Sequence, residues 1–156
     1  MSNFAKLILS LIICQLPGII GGFIVSGNID SWYEPLNKPG FSPPNWLFGP
    51  VWIFLYLLMG ISMFLIWKED LKNKKIKKSF LIFIFQLVLN TLWTIVFFGM
   101  HSISGALIII LALWILILIC IINFLKISKT AGVILIPYLL WTTFAAVLNY
   151  YIFALN

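Results

Sequence analysis

The sequence predicts an all-α integral membrane protein, a five-transmembrane-helix bundle forming one domain over residues 1–156. Three observations lead there. Hydrophobic residues fill 63% of the 156 positions and charged residues only 9%. Mean hydropathy is +1.13. Five apolar runs of membrane-crossing length recur along the chain. A soluble domain of this size has too little interior to hide so much apolar surface. The bilayer is therefore its solvent. In hydrocarbon every backbone N–H and C=O needs an internal partner, which leaves helices or a closed barrel. The runs are continuous and lack the period-two alternation of barrel strands, so helices remain.

A span needs about 20 mostly apolar residues to cross about 30 Å of hydrocarbon. The windows that qualify are 7–25, 46–67, 79–98, 105–125 and 131–153. Span one follows Lys6 as a secretory signal would, but its run is too long and no small-residue cleavage site follows. It is expected to stay in the mature protein. It carries Pro17, which is expected to kink it, and Gly18 and Gly22 in G-x-x-x-G spacing. That spacing suits tight packing within the monomer, a dimer face or the floor of a ligand site. The loop over 27–45 holds Pro35, Pro39, Pro43 and Pro44 among aromatic residues. Proline stiffens a loop and lowers the entropy lost on ordering it. A stiff aromatic loop above a bundle reads as a lid.

Span two places Trp52, Tyr56, Met63 and Trp67 near one stripe, with Trp67 at the boundary expected in the interfacial belt. In span three, Gln86, Asn90, Trp93 and Phe97 follow each other at four, three and four residues, and so share a helix face. An amide facing lipid is costly, so that face turns inward. Interhelical hydrogen bonding and contact with a ligand are both open to Gln86 and Asn90. A five-residue connection, Met100 to Ser104, makes spans three and four a hairpin. Trp114 in span four has no polar neighbour in sequence and reads as lipid-facing or simply packed. In span five Pro137 is expected to bend the helix. Trp141, Ala145 and Asn149 recur at intervals of four, and Ala145 leaves room where a larger side chain would fill it.

Net charge is +6, and all ten basic residues are lysines. Nine of them, Lys6, Lys68, Lys72, Lys74, Lys75, Lys77, Lys78, Lys126 and Lys129, fall on one side of the predicted spans, and only Lys38 falls on the other. By the positive-inside rule the N-terminus is inside, with the first loop and the C-terminus outside, in the plasma membrane. A basic loop beside anionic lipid accounts for the lysine run, so no nucleic-acid partner is expected. No Asp, Glu, Lys or Arg lies within a span. Ion-coupled transporters usually depend on such groups. There is no serine–histidine–carboxylate set, no paired carboxylate and no Gly-rich phosphate loop. Cys14 and Cys120 sit inside spans without metal spacing and read as small buried hydrophobes. His101, the only histidine, reads as a solvated turn residue rather than a haem ligand. No metal and no required cofactor are expected.

Three blocks carry a family resemblance: W-Y-E-P-L-N-K-P-G-F-S-P-P with F-G-P-V-W-I-F-L-Y-L-L-M-G within 32–60, Q-L-V-L-N-T-L-W-T-I-V-F-F-G over 86–99, and P-Y-L-L-W-T-T-F-A-A-V-L-N-Y over 137–150. In order, spacing and frame they resemble the tryptophan-rich sensory protein and translocator protein family (TspO/MBR, also called the peripheral benzodiazepine receptor), over almost the whole chain. The resemblance implies a homodimer of five-helix bundles, with a pocket open toward the first loop. That pocket would take porphyrins such as protoporphyrin IX, and synthetic isoquinoline or benzodiazepine ligands. Carried over by motif, its residues are Tyr33 and Pro43 from the lid, Trp52 and Tyr56 from span two, Asn90, Trp93 and Phe97 from span three, and Trp141, Ala145 and Leu148 from span five. A flat macrocycle would stack on the tryptophans, with hydrogen bonds from Asn90 and Tyr33.

The expected function is thus a membrane receptor or carrier for porphyrin-type and other flat apolar ligands, linked to tetrapyrrole or stress balance. One alternative is light- and oxygen-dependent porphyrin breakdown, for which the resemblance points to Trp52 and Trp141. Another is a membrane interaction protein without a dedicated small ligand. The chain departs from the family in two places. No Lys or Arg follows Tyr150 or Tyr151, as the family's cholesterol-recognition pattern requires, and no acidic residue stands near Ile109.

Overall fold

The computed structural model describes all residues, Met1–Asn156. The chain is an all-α membrane protein with six helices: α1 Asn3–Ser26, α2 Asn45–Trp67, α3 Lys74–Thr94, α4 Ile103–Ile127, α5 Lys129–Ile134 and α6 Ile136–Leu155. The last two form one span, so five stretches are long and apolar enough to cross a membrane.

Local chemistry sets the boundaries. The Ser2 hydroxyl accepts from the Ala5 N–H at 3.2 Å and starts α1. That helix runs unbroken through the buried Pro17. Asn73 caps α3 by accepting from the Lys75 N–H at 2.9 Å. The helix therefore begins five residues before the apolar window that predicts it, and Lys74, Lys75, Lys77 and Lys78 ride on its first turns. Hydropathy marks only where a helix is apolar, whereas capping marks where it begins. Ser102 and Ser128 start α4 and α5 in the same way. The α3 helix ends in a π-helical turn, Ile95–Gly99.

The fifth span breaks at Leu135 because Pro137 follows two residues later. Proline has no N–H to donate, and its ring crowds the carbonyl four residues back, here Val133. The chain recovers at once, with the Leu139 N–H donating to the Leu135 carbonyl at 3.1 Å.

The α1 helix packs on α2 and α3, α2 on α5, and α4 on α3, α5 and α6. The spans thus close in the order one, two, five, four, three. Lipid tails are as apolar as leucine, so close packing and polar contacts hold such a bundle rather than the hydrophobic effect. Close packing is visible at two glycines. A methyl on Gly60 would come within 2.9 Å of the Leu11 side chain, and one on Gly132 within 2.9 Å of the Leu125 backbone nitrogen. Beside Gly132, the Ser62 hydroxyl donates to the Ala131 carbonyl at 2.7 Å and ties α2 to α5.

Two cores result. The larger lies toward the lysine-rich end and includes Cys14, Met59, Met63, Phe83, Ile117 and Phe124. The smaller lies under the first loop around Tyr33, Phe97, Ala106, Leu148 and Ile152. Lys6 Nζ donates to the Trp67 carbonyl at 3.2 Å, so the start of α1 and the end of α2 share one end of the bundle.

Candidate functional site

The first loop is an ordered cover. Its early part is a π-helical turn, Ile29–Tyr33. Lys38 Nζ donates to three carbonyls of the same loop, those of Tyr33 (3.2 Å), Glu34 (2.7 Å) and Leu36 (3.2 Å), and lies 4.9 Å from the Tyr33 ring centroid. The lone lysine at this end therefore clamps the loop. Asn156 holds it from outside, accepting from the Asn37 N–H at 3.1 Å and donating to the Asn37 carbonyl at 2.8 Å.

His101 is exposed, yet it is not a free turn residue. Its ring stacks on Trp32 with centroids 4.6 Å apart and planes 9° apart. Its Nε2 lies 2.7 Å from Asn28 Oδ1. Asn28 Nδ2 already donates to the Ile24 carbonyl, so Oδ1 is the acceptor and the imidazole N–H donates. These contacts bind the loop to the α3–α4 hairpin.

Beneath this cover lies a cavity of about 550 Å³ between α1, α2, α3 and α6. That is the size of a small-molecule site. The α1 wall is Pro17, Gly18, Gly21 and Gly22, which bring little side chain to the space. The facing walls are rings. Trp52 stacks on Tyr56 with centroids 5.5 Å apart, and Trp93 stacks on Phe97 at 5.6 Å. Phe48, Ala145 and Leu148 complete the aromatic and apolar side, and Tyr33 forms the roof.

Seven of the ten residues proposed from sequence line this cavity: Tyr33, Trp52, Tyr56, Trp93, Phe97, Ala145 and Leu148. Pro43, Asn90 and Trp141 do not. Asn90 stands behind the wall, with both ends of its amide in use. Tyr56 Oη donates to Asn90 Oδ1 at 2.7 Å, and Asn90 Nδ2 donates to Tyr138 Oη at 2.9 Å. Tyr138 Oη in turn donates to Gln86 Oε1 at 2.8 Å. Of the two roles open to Gln86 and Asn90, the structure places both in interhelical hydrogen bonding. Trp141 packs on Phe48 and Phe144 at 6.1 and 5.2 Å, and its indole N–H is buried without a partner. Trp114 is not without polar company either, since its Nε1 donates to Thr143 Oγ1 at 2.7 Å.

Two contributors escape the motif reading. Tyr138 is fully buried and joins α6 to α3. A phenol in the middle of a span requires a partner, and that signal is visible in the sequence. Asn149 lines the cavity and holds Trp93 in place. It accepts from Trp93 Nε1 at 3.0 Å while its own Nδ2 donates to the Ile103 carbonyl at 3.1 Å.

Tyr33 borders the cavity with its ring, while its hydroxyl is buried away from that space. Tyr33 is 2% exposed, and its hydroxyl has no hydrogen-bond partner. Burial raises the pKa of this phenol, and the Glu34 charge adds to the rise, while the nearby Ser42 hydroxyl pulls the other way. The group is thus a neutral donor at neutral pH. Chemically the space offers aromatic stacking faces under an aromatic roof.

Comparison with known proteins gives the family. The TspO/MBR family profile matches residues 10–155. The chain is 40% identical to the Tryptophan-rich protein TspO of Archaeoglobus fulgidus, covering 99% of both chains. It is 34% identical to the Tryptophan-rich sensory protein of Cereibacter sphaeroides, covering 99% of this chain and 93% of that one. With the human Translocator protein it shares 35% identity over 84% of this chain and 78% of that one. On a sequence match that runs through residues 10–155, the chain belongs to the TspO/MBR family.

Proposed function

We propose that this protein binds flat, apolar aromatic ligands of the porphyrin type in the cavity under the first loop, as a membrane receptor or carrier linked to tetrapyrrole or stress balance. The observation that carries the reading is the cavity itself. Its walls carry Trp52 stacked on Tyr56 and Trp93 stacked on Phe97, and the Tyr33 ring roofs it. Rings favour offset stacking on other rings, which a flat macrocycle supplies.

The reading includes a homodimer in the plasma membrane, N-terminus inside and first loop outside. The lysine distribution supports that orientation. Titration of protoporphyrin IX into the protein in nanodiscs, read by tryptophan quenching, tests it. Binding saturates, and Trp52→Phe and Trp93→Phe each weaken it more than Trp141→Phe, whose indole stands outside the cavity wall. Equal effects at all three positions would place the ligand elsewhere.

Light- and oxygen-dependent breakdown of the bound porphyrin is a second reading, favoured by the position of an oxidisable indole, Trp52, in the cavity wall. It predicts that porphyrin absorbance decays faster under illumination with wild-type protein than with Trp52→Phe. Matching decay rates would remove it.

A further inference from the structure

The α1 and α2 helices touch closely at one end and part at the other. Toward the lysine-rich end, a methyl on Gly60 would meet Leu11 at 2.9 Å and the Ser10 carbonyl at 3.3 Å. Midway, a methyl on Gly18 would meet the Tyr56 ring at 2.9 Å, and Gln15 Nε2 donates to the Ile53 carbonyl at 3.4 Å. Beyond that link the contact stops. Gly22 on α1 and Gly49 on α2 are both exposed, and a methyl on either would meet nothing within 4 Å. Both line the cavity. So do Trp46 and Ile53, although they are 71% and 61% exposed. Residues that face the cavity and the exterior at once mark an opening.

Its depth follows from helix geometry. Trp46 lies in the first turn of α2, where an exposed indole suits the membrane interface. Gly49 and Ile53 follow at roughly one and two turns along α2, about 5 and 10 Å deeper. Gly22 lies four residues, about 6 Å, inside the end of α1. The opening therefore faces hydrocarbon rather than water. The water-facing side is closed by contrast. There the Lys38 clamp, the Asn37–Asn156 pair and the Trp32–His101 stack hold the loop down. Phe41 packs on Phe144 and Tyr151 with centroids 6.2 and 5.3 Å away.

From this we infer that the cavity is loaded sideways from the bilayer, through a slot between α1 and α2 framed by Gly22, Gly49 and Ile53. Its ligands are then planar molecules already dissolved in the membrane, entering edge-first between two glycines. The loop acts as a fixed roof and not as the door. The inference rests on the reading of the cavity as a ligand site.

Stopped-flow tryptophan quenching tests it, with protoporphyrin IX introduced in donor liposomes and the protein in acceptor liposomes after vesicle fusion. The association rate follows the porphyrin-to-lipid ratio and is unchanged when the whole sample is diluted in water. Gly22→Leu, which fills open space, slows association about tenfold or more. Gly40→Leu, in the loop, where a methyl also meets nothing within 4 Å, leaves it unchanged. A rate that falls with aqueous dilution, or is slowed by Gly40→Leu and not by Gly22→Leu, overturns the slot while leaving the ligand site standing. Failure of the wild-type protein to show saturable quenching overturns the ligand site and the slot together.

Discussion

Tyr56 and Asn90 meet at 2.7 Å across α2 and α3, and through that bond the wall of the cavity is fastened to the core of the bundle. The ring of Tyr56 faces the cavity while its hydroxyl faces away, toward Asn90, Tyr138 and Gln86. Replacing Asn90 with Leu leaves the phenol of Tyr56 without its acceptor and takes the Asn90 donor from Tyr138. Interhelical hydrogen bonds in membranes average only about 0.6 kcal/mol, but an orphaned buried polar group costs about 1–3 kcal/mol. The orphaning decides the outcome. Asn90→Leu destabilises the fold by about 1–2 kcal/mol in a denaturant titration. The same titration on Tyr56→Phe gives a smaller loss.

Gly18 lies against the same ring. A methyl there would come within 2.9 Å of Tyr56, whereas one on Gly22 would meet nothing. The two members of the G-x-x-x-G pair thus do different work. Gly18→Ala lowers the melting temperature and displaces Tyr56 toward the cavity, and Gly22→Ala does neither. Parallel thermal melts of the two variants provide the check.

Tyr33 carries an unpaired hydroxyl, so Tyr33→Phe gives up no hydrogen bond within the protein. Stability stays level or rises slightly, and porphyrin affinity holds level, because the hydroxyl is buried away from the cavity. The pH dependence has a fixed sign. The folded chain holds the Tyr33 proton more tightly than the unfolded chain, because burial raises its pKa from the ordinary 10.0. The associated stability is fully present below pH 10.0 and is lost as pH rises through the higher folded value. Wild type therefore loses more stability than Tyr33→Phe over that alkaline window, as paired melts would record.

Lys38 donates to three carbonyls, and two of them, those of Glu34 and Leu36, have no backbone N–H donor. Lys38→Met keeps the apolar stem and removes the clamp. Limited proteolysis then cleaves between 34 and 44 several-fold faster, with cleavage elsewhere unchanged. Uniform protection in both proteins would refute the clamp.

The legibility of this fold in its sequence divides along a physical line. Hydropathy places all five spans, because membrane helices must be continuously apolar. It misses the start of α3, which the Asn73 cap sets, and it cannot locate the break at Leu135 beyond the warning from Pro137. Helix periodicity puts Asn90, Trp93 and Phe97 on one inward face, but a face is wider than a cavity wall. Trp93 and Phe97 reach the cavity and Asn90 stops behind Tyr56. Family motifs bring in Trp141, whose ring packs against Phe48 outside the wall. The stacking of His101 on Trp32 joins residues far apart in sequence through a turn where His101 has φ of 56°, and no local pattern announces it.

The central claim is that the space walled by Trp52 and Trp93 is where a flat ligand sits. Ala145 borders that space and leaves it open. The most direct measurement is a protoporphyrin IX titration of wild type and Ala145→Phe, with helix content and elution volume confirming that both are folded. Saturable quenching in wild type and its loss in Ala145→Phe is the predicted result. Two superimposable saturation curves would show that the ligand does not enter this cavity.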